Sequence, residues 1–201
     1  MANKYYDENG NSLFPDEYDK EDRSEDVLSQ KIYKEKIDHK RPKPSDKFID
    51  KGSHLTVEKR KYIIDLAGRL CDEDFGGRSL LCQQFAILVK HMLKKEGLNS
   101  TIYTGTVKYF NDSKEFVWTH FWIEVEDEII DCNVDSMIDN SLVPAYLEPS
   151  NFWGPKNNTP NDRIFISKKE FSSNDEIILE QDDPETIEWK KKIDNEYNYF
   201  L

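Results

Sequence analysis

The alternation of apolar and polar positions changes character twice along the chain. Residues 1–23 are polar and acidic, with Asn9-Gly10 as a turn signal. From Ser24 to Asp38, Val27, Leu28, Ile32 and Ile37 recur at loosely helical spacing and predict a helix. Arg41-Pro42-Lys43-Pro44-Ser45 reads as a linker, because each proline removes a donor and restricts the residue before it. A second helix is predicted from about Thr56, a capping residue, with Ile63, Ile64, Leu66, Ala67 and Leu70 on its apolar face. Cys71 to Gly77 reads as a loop. A third helix runs from Ser79, its natural cap, to about Glu96, and Gly97 stops it. Leu80, Leu81, Phe85, Ala86, Ile87 and Leu88 surround its first half, which predicts a helix buried on most sides.

Beyond residue 98 the period shortens. Thr101–Phe110, Phe116–Val125 and Glu128–Cys132 predict strands, with Asn111-Asp112-Ser113 as a turn. Residues 139–162 are proline-rich and read as loop, including Asn151-Phe152-Trp153-Gly154-Pro155, a candidate cleft rim. Arg163–Ser167 and Glu176–Leu179 predict short strands, and Pro184–Asn198 a terminal helix. Helices followed by an antiparallel meander make an α+β layout, with a buried helix packed on an antiparallel sheet. The division is a polar extension over 1–50, a core over 51–170 and an acidic extension over 171–201.

The 201 residues carry 40 acids and 28 bases, with a mean hydropathy of −0.81. Residues 111–201 alone hold 21 acids against 8 bases. A chain this acidic is a poor general binder of nucleic acid, which needs a basic face. The basic stretch over 31–47 has interleaved acids and reads as a solvated helix end and linker. The acidic stretch from Asp175 to Glu188 reads as a solvated tail, with a basic partner as the alternative. The longest apolar run, Phe85–Val89, is too short to span a membrane, and the first residues hold no apolar signal stretch. The expected setting is cytoplasmic; export as an effector or toxin without a signal stays open.

Three widely spaced cysteines, Cys71, Cys82 and Cys132, argue against a disulfide framework. The four histidines are scattered and no Cys-x-x-Cys exists, so no metal and no cofactor are expected. One reactive thiol is the remaining candidate. Cys82 falls in the first turn of the third helix, where free N–H groups and the helix dipole favour a thiolate. Cys71 ends a helix and Cys132 alternates into the core, so both read as structural. Strand alternation puts His120, Trp122 and Glu124 on one face. A two-residue loop at Glu126-Asp127 pairs Val125 with Glu128 and Trp122 with Asp131. Asp131 then shares the face of His120 as its diagonal neighbour, roughly 7–8 Å away at Cα. Asp135 is a second candidate partner. His91 lies on the wrong side of the helix to serve Cys82.

These features resemble the transglutaminase-like branch of the papain-like cysteine enzymes. The likeness rests on Cys82-x-x-Phe85-Ala86 opening a helix, His120-x-Trp122-x-Glu124-Val125, and Ile129-Ile130-Asp131, about residues 60–136 in all. It implies a papain-like, transglutaminase-like fold. It also implies a Cys82–His120–Asp131 triad that cleaves, deamidates or crosslinks amides of a protein or peptide. The chain departs from that pattern at the second oxyanion donor. Papain-type enzymes use a Gln six residues before the cysteine, where this chain has Gly76, and all four Trp lie downstream of Cys82. Arylamine N-acetyltransferases share the Cys-His-Asp order, but their Arg-Gly-Gly-x-Cys start is not matched. The alternative reading is a non-catalytic protein-binding module on the same fold.

Overall fold

Apolar stripes on three helices and one face of a sheet account for most of the core. In the computed structural model the described residues are 42–75, 77–140, 142–171 and 184–197. The expected features at 1–23, 24–38 and 176–179, Gly76, and most of the acidic stretch lie outside them.

Helix α1 (Val57–Phe75) buries Ile63, Ile64, Leu66, Ala67 and Leu70 as its spacing predicts. It continues through Cys71–Phe75, read above as loop, because no glycine or proline falls between Cys71 and Phe75. Helix α2 (Cys82–Lys95) starts later than Ser79. Arg78 to Leu81 forms a turn, with the Leu81 N–H donating to the Arg78 carbonyl at 3.1 Å. Leu81 is the N-cap residue and its side chain caps nothing. Leu80, expected in a buried helix, is 67% exposed on that turn. Gly97 stops the helix as expected. Its φ of +75° lets Leu98 donate back to the Leu93 carbonyl at 2.9 Å.

The sheet contains β1 (Phe48–Asp50), β2 (Ser100–Asn111), β3 (Lys114–Val125), β4 (Glu128–Asp131), β5 (Asn151–Pro155) and β6 (Arg163–Phe165), in the order β1-β5-β4-β3-β2-β6. A short β7 (Lys169–Glu170) also pairs with β2. All pairs are antiparallel except β1 with β5. Helix α3 (Pro184–Tyr197) buries Ile193 and Tyr197 in the same core as α1 and α2. This α+β unit begins at Pro42, so it takes in residues on both sides of the 51–170 core read from the sequence.

The two faces of the sheet are both covered. Ile102, Ile123, Val125, Ile130 and Trp153 pack under the helices. Val107, Tyr109, Trp122, Ile129 and Phe152 lie in a second core with Val134, Met137, Val143 and Leu147. The segment Asn151–Pro155 is therefore strand β5, not a cleft rim. Its Phe152 and Trp153 are each buried, one in each core, so the polar–apolar alternation that marks a half-exposed strand is missing. β1 falls in the stretch read as an extension. Three residues are too few for a period, and Arg60 of α1 holds the strand through Asp50 at 2.7 Å.

Candidate active site

The register of β3 and β4 decides where Asp131 points. Val125 pairs with Glu128, and Ile123 with Ile130, across a two-residue loop at Glu126-Asp127. This is the pairing expected from the sequence, although Glu126 must adopt a φ of +50° that non-glycine residues rarely take. Contacts from outside the hairpin hold the turn. Lys156 N–H donates to the Asp127 carbonyl at 2.9 Å, Lys156 Nζ to the Glu126 carbonyl at 2.8 Å, and His54 Nε2 bonds Asp127 at 3.0 Å.

Asp131 and His120 therefore share a face and meet. His120 Nε2 lies 2.7 Å from Asp131 Oδ1, and both side chains are buried. An ionised carboxylate only accepts, so Nε2 carries the proton and donates. That leaves Nδ1 for Cys82, whose thiol is hydrogen-bonded to the His120 ring. Cys82 is the first residue of α2 and is partly buried as a residue, whereas His120 and Asp131 are fully buried. The backbone N–H groups of Phe121 and Gln83 also donate to the sulfur.

The electrostatics follow from this arrangement. Burial pushes the Cys82 thiol up, but the His120 hydrogen bond and charge, with the two N–H donors, bring it below its ordinary value. Burial also opposes an imidazolium at His120. The Asp131 charge and hydrogen bond, followed by Cys82, outweigh it and raise the ring to about 10. Burial pushes Asp131 up, and the His120 and Arg163 charges hold it below the usual carboxylate range. All three shifts favour passage of the Cys82 proton to His120, with the Asp131 carboxylate behind the ring. The other cysteines differ. Cys132 sits in the helix-side core, donates to the Phe152 carbonyl at 3.2 Å, and is pushed well up by burial. Cys71 is fully buried.

Three features of the site were not visible in the sequence. Arg163 donates from Nη1 to Asp131 Oδ2 at 2.6 Å, and from Nε to Asp162 at 2.8 Å, with Nη2 on the Ser150 carbonyl. It fixes the carboxylate oxygen that His120 leaves free. Arg78 forks onto Asp135 at 2.6 Å to each oxygen, while Asn133 donates to the Arg78 carbonyl at 2.9 Å. This buried network fixes the turn that delivers Cys82. It also takes Asp135, the second candidate partner, away from His120. Tyr109, whose ring lies beside the Arg163 guanidinium, has a buried hydroxyl with no hydrogen-bond partner among the described residues. No local signal marks these residues, since the Arg163–Asp131 and Arg78–Asp135 bonds join distant segments.

His91 reaches Asp194 at 3.4 Å and stays clear of Cys82, as its helix position implies. Trp122 is buried and stacks on Tyr103 at 6.3 Å.

No protein-family model matches the chain, and no curated protein does. A crystal structure titled only as a genomics target is similar. Its TM-score is 0.56 at 11% identity, over 73% of this chain and 82% of that one. At that identity the likeness speaks to the fold alone. Among the described residues no helix is long and apolar enough to cross a membrane, and no group of His, Cys, Asp and Glu could hold a metal.

Proposed function

We propose that this protein is a cysteine-dependent hydrolase or acyl-transferase acting on amide bonds of a protein or peptide. Cys82 is the nucleophile, His120 the general acid–base and Asp131 the orienting carboxylate. One observation carries the reading: a buried imidazole bonded to the thiol at the start of a helix on one side and to a clamped carboxylate on the other. The helix-borne thiol and the His and Asp on adjacent strands support a papain-like core of the transglutaminase-like kind.

The chemistry follows from the protonation states. His120 Nδ1 takes the thiol proton, and the Cys82 thiolate attacks the amide carbonyl. The Cys82 N–H belongs to the first turn of the helix, whose donors have no partner within the helix, so it is the group placed to meet the developing oxyanion. The imidazolium returns its proton to the departing amine as the carbon–nitrogen bond breaks. Asp131 holds the ring so that Nδ1 cycles between acceptor and donor. Water or an incoming amine then attacks the acyl-thioenzyme and releases Cys82.

The test is cysteine-resolved alkylation by iodoacetamide across pH, in wild type and His120→Ala. Cys82 is expected to react well below about pH 8, while Cys71 and Cys132 stay slow, and His120→Ala removes the advantage. A Cys82 that follows an ordinary thiol profile in both proteins makes the fold a binding scaffold instead.

A further inference from the structure

The backbone of β3 next to Cys82 offers a second handle on the substrate. Hydrogen bonds on β2 fix the parity of that backbone. Ile166 N–H donates to the Thr106 carbonyl at 2.8 Å, Phe171 N–H to Ile102 at 2.9 Å, and Phe110 N–H donates to Asp162 at 2.7 Å. The even residues of β2 thus bond away from β3, and its odd residues bond to β3. In the observed register those odd residues face Trp118, His120 and Trp122. The odd residues of β3 must then turn their N–H and C=O groups to the opposite edge.

Three of the contacts on that edge agree. Ile123 and Val125 pair with β4, the Phe121 N–H donates to the Cys82 sulfur, and the Glu115 carbonyl accepts the Tyr146 hydroxyl at 3.3 Å. Between Tyr146 and Cys82 lie Val117 and Thr119. Both are exposed, and their backbone groups have no hydrogen-bond partner among the described residues. Successive residues on one strand edge repeat about every 7 Å. Val117, Thr119 and the Phe121 N–H at the thiol are three positions in line, two such steps in all.

We propose that Val117 and Thr119 form the docking edge for substrate, and that the substrate is an extended polypeptide segment that adds itself to β3 as a strand. Alternating donors and acceptors at strand spacing match the main chain of another polypeptide, whatever its side chains. A strand paired there carries its backbone along the line that ends at Cys82. The enzyme then acts on a main-chain amide within an unfolded or looped segment, rather than on a lone side chain or a small acyl donor. This inference rests on the catalytic reading above.

The experiment uses the full chain and acetylated peptidyl acyloxymethyl ketones with randomised side chains, one to four residues long. Labelling of Cys82 is expected to quicken about tenfold or more from one residue to four. N-methylation of one alternate set of probe amides removes the gain, and N-methylation of the other set keeps it. In Thr119→Pro the ratio of tetrapeptidyl to iodoacetamide labelling falls about tenfold. That proline deletes an outward N–H and leaves the ladder to β2 intact, and circular dichroism checks the fold. A Cys82 that is reactive toward iodoacetamide, yet indifferent to probe length and N-methylation, overturns the docking edge alone. A Cys82 inert to iodoacetamide overturns the catalytic reading and the edge with it.

Discussion

Asp131→Asn separates an orienting carboxylate from a merely structural one. Asp131 accepts two bonds from buried donors, 2.7 Å from His120 Nε2 and 2.6 Å from Arg163 Nη1. Asparagine offers one acceptor oxygen and one NH₂. The guanidinium cannot give up its proton, so the amide oxygen goes to Arg163 and the NH₂ faces Nε2. Nε2 must then accept, and the ring proton moves to Nδ1. An Nδ1 that already holds a proton cannot take one from Cys82. The same wrong-tautomer logic in Ser-His-Asp triads lowers kcat on the order of 10⁴-fold. Stability also falls, because Arg163 keeps its charge beside a neutral amide. Breaking a buried pair costs about 3–5 kcal/mol, and the remaining bonds of Arg163 to Asp162 and Ser150 put this one near the lower end. The assay is the pH profile of Cys82 alkylation, run at low temperature with circular dichroism as the check on folding. The midpoint should rise to about 8.5 or above. A folded Asp131→Asn protein with the wild-type profile would refute the tautomer argument and leave Asp131 as a core anchor.

Three further outcomes are expected. Arg163→Met leaves one oxygen of Asp131 buried without a donor and costs about 3 kcal/mol or more in chemical denaturation; a neutral result would show that His120 alone satisfies the carboxylate. Tyr109→Phe removes a buried hydroxyl that has no partner, so it should raise stability by about 1 kcal/mol; a loss of that size would reveal a bound water on the hydroxyl. The His120 ring is raised in the folded state above its unfolded value of about 6.5. Its stabilisation is therefore complete below that value and disappears as pH climbs through about 10. The gap in melting temperature between wild type and His120→Gln should narrow across that window, and a constant gap contradicts an imidazolium.

What the sequence reveals and what it hides divide along one physical line. Helices α1 and α2 are legible because their apolar faces repeat at 3.6 residues, and β2 to β4 because their turns are short and their alternation is local. Even the meeting of His120 and Asp131 reduces to local parity: with two residues between Val125 and Glu128, Asp131 lands on the His120 face. One more residue in that loop turns Asp131 toward the helices. The start of α2 was harder, because Ser79 looks like a cap. The turn is set instead by Arg78 gripping Asp135, far along the chain. β5 was hidden because burial on both faces erases alternation. Arg163 is the limiting case. Its strand β6 is separated from β4 by β3 and β2, yet its guanidinium reaches Asp131. Only a sheet curled across those strands brings the two together, and no spacing along the chain reports that curl. The residues that perform the proposed chemistry are thus readable, while the residue that clamps them in place follows from the shape of the sheet.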